Sequence, residues 1–131
     1  MQEDGQSTVL VISDDGKALL GVARLVSRIT PHHIVRVCSE GAQALNYMSY
    51  SPVKGIILCY EEEPLDAIAL ANILIERRPQ VPIILLCDQP TSELIEAAYA
   101  VGCHAVLDSN SEIPMLQSLL VNLFESPSYQ T

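Results

Sequence analysis

The chain carries little positive charge. Lysine and arginine together number 7 against 16 aspartates and glutamates, which gives a formal net charge of −9 over 131 residues. A protein this acidic repels the phosphate backbone of nucleic acids, and its only basic cluster is the pair Arg77 and Arg78. We therefore expect no direct nucleic-acid binding by this domain.

Long apolar runs and targeting signals are also missing. The longest apolar stretches, residues 8–12 and 81–87, fall far short of the roughly 20 residues that a transmembrane helix needs. The first residues, Met-Gln-Glu-Asp, lack the basic region of a signal peptide. These absences predict a cytoplasmic protein that does not contact membranes.

The cysteines do not follow a metal-binding or disulfide pattern. Cys38, Cys59, Cys87 and Cys103 are 21, 28 and 16 residues apart, and no C-x-x-C pair occurs. Such spacing indicates neither a zinc ribbon nor a secreted disulfide scaffold. The phosphate-binding glycine motifs G-x-G-x-x-G and G-x-x-x-x-G-K-[ST] are absent as well. We expect reduced, buried thiols and no cofactor.

What the chain does contain is a regular alternation of short β-rich apolar runs and amphipathic stretches. Strands are predicted at residues 9–12, 34–37, 55–58, 83–86 and 105–107, and helices at 17–29, 41–48, 66–77, 92–101 and 111–124. Five βα units of this kind predict one three-layer α/β/α domain with a parallel sheet. We expect this domain at residues 8–124, with tails at 1–7 and 125–131.

Four segments at the ends of the predicted strands together resemble a response-regulator receiver domain. Residues 11–15, VISDD, resemble V-V-D-D-D, and residues 52–67, PVKGIILCYEEEPLDA, resemble P-V-D-G-V-L-L-D-Y-R-M-P-G-M-D-G without a gap. Residues 81–88, VPIILLCD, resemble V-P-V-I-V-L-T-A, and residues 93–109 resemble E-x-x-x-x-A-x-x-A-G-A-x-G-Y-L-x-K. This order of segments is similar to receivers of the NarL/LuxR class. It implies a flavodoxin-like (βα)5 fold with strand order 2-1-3-4-5.

The resemblance breaks at the residues that carry the family's chemistry. Cys59 stands where receivers have the phosphoaccepting aspartate, and an alternative alignment on Pro64 places Tyr60 there. The other departures are Ser13 for the first Mg²⁺-binding acid, Cys87 for the hydroxyl residue that bonds the phosphoryl group, Ser109 for the lysine, and Val106 for the aromatic switch residue. Asp14 alone matches, at the second acid. Because Mg²⁺-assisted phosphoryl transfer depends on such positioned charges, we expect no aspartyl phosphate and no enzymatic activity.

These departures imply a pseudo-receiver that signals through protein contacts in a two-component-type pathway. Receivers signal mainly through the face formed by helix four, strand five and helix five. In this sequence that face would present Ser92, Tyr99, Val106, Met115 and Gln117 to a signalling protein, an effector domain or a second copy of the chain.

Two alternatives remain open at the sequence level. Cys59 and Cys87 end neighbouring strands of a receiver sheet, so the chain is also interpreted as a redox sensor in which they form a disulfide. Asp14 together with these two thiols would instead favour weak binding of a metal, Zn²⁺ over Mg²⁺, because the donors are mixed oxygen and sulfur.

Overall fold

The computed structural model describes residues 8–60 and 64–125. The strands are β1 (Thr8–Ser13), β2 (Ile34–Cys38), β3 (Val53–Cys59), β4 (Ile83–Cys87) and β5 (Ala105–Asp108). The helices are α1 (Gly16–Ile29), α2 (Gly41–Met48), α3 (Pro64–Arg77), α4 (Ser92–Val101) and α5 (Ile113–Leu120), and a π-helical turn (Val121–Glu125) follows α5. The predicted tail at 1–7 lies outside the described residues, and so does the predicted tail at 125–131 except for Glu125, which belongs to the π-helical turn.

All five strands belong to one parallel sheet in the order β2-β1-β3-β4-β5. This confirms the fold class and the strand order expected from the sequence. Within the two described stretches, no helix combines the length and apolar character that crossing a bilayer requires.

The core consists of two apolar layers, one on each face of the sheet. Leu10, Ile56, Leu58, Ile83 and Leu85 pack in the layer that also holds Ala44 of α2, Leu74 of α3 and Ala98 of α4. Val9, Val11, Ile57, Ile84 and Leu86 pack in the layer that holds Val26 of α1 and Leu116 and Leu120 of α5. Alternate residues of the same strand thus enter opposite layers, as the pleat of a strand dictates.

Helix five differs from its predicted form. The sequence predicted a helix that runs unbroken to residue 124, but α5 ends at Leu120 and the chain continues as the π turn. Phe124, the only phenylalanine of the chain, is buried in this turn. It packs against Gly55 of β3, where an added Cβ would lie 2.2 Å from Phe124 Cζ. Glycine at position 55 therefore leaves the space that the phenyl ring fills.

We expect Gly55→Ala to lower the free energy of unfolding by about 1–3 kcal/mol, because the new methyl group overpacks the Phe124 site. Gly21→Ala is the matched control, since nothing lies within 4 Å of its added Cβ and alanine is the better helix former. Urea denaturation of both variants measures the difference. Equal stability of the two variants would show that the phenyl ring moves aside at little cost.

Candidate functional site

The predicted pocket residues converge at the carboxyl edge of the sheet. Ser13 is in register with Cys59, Cys59 with Leu86, and Cys87 with Asp108. The backbone N–H of Ser109 donates to the carbonyl oxygen of Cys87 at 2.9 Å. Since ligands of open α/β sheets bind at this edge, the receiver-like positions are assembled in the expected place.

Cys59 and Ser109 line the same cleft, of about 250 Å³, between α1 and α5. The remaining lining residues are Gly21, Val22, Leu25, Leu86, Asn110 and Ile113. Cys59 is only 1% exposed and packs in the apolar layer with Val11 and Ile57. The position of the phosphoacceptor is thus a buried thiol in a cleft whose described lining contains neither an acid nor a base.

Cys87 faces the other side of the sheet. Its side chain packs in the layer of α2, α3 and α4 together with Leu85 and Val106, whereas Cys59 packs in the layer of α1 and α5. Residues 59 and 87 end neighbouring strands, but the pleat directs their side chains to opposite layers. The two thiols therefore do not face each other, as the redox alternative requires, and no disulfide joins them.

The hydroxyl of Ser13, at the position of the first metal-binding acid, takes part in a local turn. Ser13 Oγ accepts a hydrogen bond from the backbone N–H of Asp15 at 3.0 Å and donates to the carbonyl oxygen of the same residue at 3.1 Å. Asp14 between them is exposed. The hydroxyl of Ser13 thus stabilises the turn from β1 into α1 through its hydrogen bonds to the backbone of Asp15.

Tyr60, the alternative acceptor position, is a buried phenol near two carboxylates. It is 8% exposed and packs on the same side of the sheet as Cys87. Burial raises the pKa of Tyr60 above its ordinary value, and the negative charges of Asp14 and Asp66 raise it further. Tyr60 is accordingly uncharged at neutral pH.

A polar network that the sequence analysis missed joins the loops after β4 and β5. The Asn110 side-chain amide donates to the Asp88 carboxylate. The Asp108 carboxylate accepts the backbone N–H of Asn110 at 2.9 Å, and this bond, helped by others from Ser111 and Gln89, lowers the pKa of Asp108. The sequence does indicate turns at residues 88–90 and 108–111. It does not show that Asp88 pairs with Asn110, because the two residues are 22 positions apart and no local pattern links them.

The interior of this network is geometrically constrained. Gln89 has φ of +47°, in the left-handed region that non-glycine residues rarely adopt.

Within the described ranges, no group of three or more histidine, cysteine, aspartate or glutamate side chains is placed to hold a metal ion. The metal alternative, built on Asp14 with Cys59 and Cys87, therefore has no assembled donor set there, since the two thiols lie on opposite faces.

The predicted interaction face is largely exposed, with one exception. Tyr99 and Met115 are 50% and 51% exposed, and Ser92 and Gln117 are exposed as well. Val106 is only 9% exposed and belongs to the core layer beneath α4. Its prediction as a surface residue is wrong, because β5 directs this side chain inward where α4 covers it.

Solved structures with the same fold are found, although the two comparisons of sequence give no match. No protein-family model and no curated protein matches the chain. The signal receiver domain of a DNA-binding response regulator from Colwellia psychrerythraea 34H superposes with a TM-score of 0.80 at 12% identity, over 92% of this chain and 100% of that one. The chain has the response-regulator receiver fold.

Two further solved structures show a likeness of the same kind. A LuxR-family DNA-binding response regulator from Silicibacter pomeroyi has a TM-score of 0.73 at 20% identity, with 91% of each chain covered. A putative pilus assembly-related protein from Burkholderia pseudomallei K96243 has a TM-score of 0.77 at 19% identity, over 100% of this chain and 98% of that one. The likeness at such identities is one of fold, so the function of this receiver fold has to be argued from its side chains.

Tyr60 is expected to ionise above the ordinary tyrosine pKa of 10, which would appear as a late step at high pH in a titration of the tyrosines. Asp14→Asn and Asp66→Asn should each lower the pKa of Tyr60 by removing a negative charge, and Tyr60→Phe should abolish the late step. The folded state favours the neutral phenol, so its contribution to stability is complete below pH 10 and is lost as the pH rises through the folded pKa.

Ultraviolet titration of tyrosinate absorbance measures this effect. Tyr50→Phe, which removes an exposed phenol, is the control and should leave the late step in place. An unchanged midpoint in both asparagine variants would show that neither carboxylate acts on Tyr60.

Burial also predicts that the four cysteine thiols react slowly in the folded protein. Cys59 and Cys87 are each 1% exposed, and burial raises the pKa of Cys38 and raises the pKa of Cys103 to about 11. Since the thiolate is the reactive form, Ellman's reagent should modify all four cysteines quickly in guanidinium chloride and slowly in buffer. A Cys59–Cys87 disulfide formed in the folded protein under mild oxidant would contradict the opposite-face arrangement.

Proposed function

We propose that the chain is a pseudo-receiver, a cytoplasmic signalling module that acts through protein contacts without phosphorylation. The observation that supports this most directly is the burial of Cys59, at the acceptor position, in an apolar cleft. A thiol there forms no aspartyl phosphate, and its burial keeps a phosphodonor from reaching it.

The neighbouring substitutions support the same proposal. Phosphoryl transfer on a receiver requires Mg²⁺ between carboxylates and a cation that pairs with the phosphoryl oxygens. Ser13 uses its hydroxyl in a turn, and Ser109 at the lysine position carries no charge. Asp14 is thus the single matching group, and one exposed carboxylate holds Mg²⁺ weakly.

The loops around this edge further support a surface that does not switch. In a working receiver, the group after β4 and the aromatic residue in β5 move when the phosphoryl group binds. Here Asn110 links the loop after β5 to Asp88 in the loop after β4, and Val106 is packed in the core. We propose that the domain at residues 8–124 presents a constant surface to its partner.

That surface is proposed to be the face of α4, β5 and α5. Tyr99 on α4 and Met115 on α5 are half-exposed side chains on the two helices that flank the edge strand, and aromatic residues and methionine are enriched at protein interfaces. The partner is proposed to be a signalling protein or effector domain of a two-component-type pathway, or a second copy of the chain. Retention of the fold and of this face, without the pocket chemistry, fits such a role.

The proposal is tested by amide NMR titration of the protein with Mg²⁺ and then beryllofluoride, a mimic of the phosphoryl group. We expect no saturable shifts at residues 13, 14, 59, 87 and 109. The restored variant Ser13→Asp/Cys59→Asp/Cys87→Thr/Ser109→Lys is the positive control, since it returns every replaced pocket group. Saturable shifts in the unmodified protein that extend into α4 would overturn phosphorylation independence.

A further inference from the structure

Strand β2 forms an open edge of the sheet. Among the described strands it pairs with β1 alone, so its outer N–H and C=O groups face away from the sheet. Ile34 and Val37 in this strand are 43% and 45% exposed. Proteins usually protect such an edge, because its unpaired backbone groups and apolar side chains template the addition of another strand.

A groove runs beside this edge, between β2 and α2. Its volume is about 350 Å³, and Arg36, Gln43, Asn46, Tyr47 and Tyr50 contribute to its lining. The groove therefore combines two aromatic rings, two amide side chains and one cation. Such a mixture suits the side chains of an extended peptide that alternate onto this face of the sheet.

The guanidinium of Arg36, at the middle of the edge, lies over an aromatic ring. Its guanidinium carbon lies 4.7 Å from the centre of the Tyr47 ring, a cation–π distance. The Tyr47 hydroxyl is in turn fixed at 2.8 Å from Thr8 Oγ1 on β1. Among the residues that the structure places, no carboxylate forms an ion pair with Arg36. The planar guanidinium is thus oriented, exposed and available for a carboxylate.

A charged residue on an edge strand has a second possible role, which is to prevent strand addition. A residue in that role extends into solvent and needs no particular orientation. Arg36 is instead stacked on a ring that is itself anchored by a hydrogen bond. Fixing a flexible side chain in advance reduces the entropy lost on binding, so this arrangement favours recognition over exclusion.

We propose that the β2 edge binds an extended segment of a partner protein, which adds as a sixth strand and pairs a carboxylate with Arg36. Charge complementarity at Arg36 selects the acidic residue, and Val37 on the opposite face selects an apolar neighbour. The segment is otherwise uncharged, since the chain's net charge of −9 repels additional acids. This surface lies at the opposite edge of the sheet from the proposed α4–β5–α5 face, so the two proposals are independent.

The probe is a capped heptapeptide of alternating valine and threonine with glutamate at its centre. In amide NMR titrations we expect saturable shifts at residues 34–38 and in the groove at Asn46 and Tyr47. A matched peptide with glutamine at the centre should bind about tenfold more weakly, because it loses a charge-assisted hydrogen bond. A third peptide, N-methylated on alternate residues so that it cannot pair with the edge, should not bind.

Two variants assign the effect to the oriented guanidinium. Arg36→Gln should bind the glutamate and glutamine peptides equally. Tyr47→Leu removes the ring that holds Arg36 and should reduce the preference for glutamate, whereas Tyr47→Phe keeps the ring and should retain most of it. Unchanged dispersion of the amide spectrum confirms that each variant is folded.

Several outcomes would overturn this proposal. One is the absence of shifts at β2 with the glutamate peptide, and another is equal binding of all three peptides. A third is that the Arg36→Gln variant self-associates while the unmodified protein binds no peptide. That result would show that Arg36 protects the edge from strand addition. None of these results would affect the beryllofluoride experiment, and a failure of that experiment would leave the peptide result standing.

Discussion

The burial of the central strands on both faces is the constraint on which the rest of this structure depends. Every residue of β1 and of β4 is buried, and so are the last five of β3. Burial of each large aliphatic side chain contributes about 1.5–3 kcal/mol. A slip of one residue would move each side chain into the opposite layer and disrupt the packing of both layers. The register is therefore set by the apolar layers, and the residues that end the strands follow it.

This constraint explains how a receiver fold accommodates the substitutions that are proposed to remove its phosphorylation chemistry. Cys59 and Cys87 are placed by Ile57 and Leu85, the residues two positions earlier on the same faces. A working pocket gathers several carboxylates, which repel one another and resist desolvation. Neutral serine and cysteine at these positions remove that cost. The proposed loss of phosphorylation chemistry would therefore need no compensation in the core.

The same alternation shows what could be predicted from the sequence. The order, type and approximate centres of all ten elements were predictable, because five apolar runs and five helical periodicities are local patterns. The strand order followed from the resemblance to receivers. The relative facing of Cys59 and Cys87 could not be predicted, because it depends on the register between β3 and β4, and strands that are apolar at every position give no sign of which side chains share a layer.

Other features depend on contacts that no local pattern contains. The bond between Asp88 and Asn110 joins two loops, and the stacking of Arg36 on Tyr47 joins a strand to the next helix. Val106 was misjudged because whether an edge strand is covered depends on where α4 lies. The π turn that ends α5 accompanies the packing of Phe124 against Gly55, a pair separated by most of the chain. Such contacts arise only when the elements are assembled.

The sheet order has a consequence for the proposed role as a module that does not switch. It places β2 and β5 at opposite edges, so the two proposed surfaces are separated by the full width of the sheet. Allosteric coupling between two sites requires a bistable element whose two states both ligands distinguish. In this receiver fold Val106 of β5 belongs to the core, and a hydrogen bond from Asn110 to Asp88 joins the loops after β5 and β4. A domain of this kind would bind two partners without changing the affinity for either, and its contribution to signalling would be to hold them at a fixed distance.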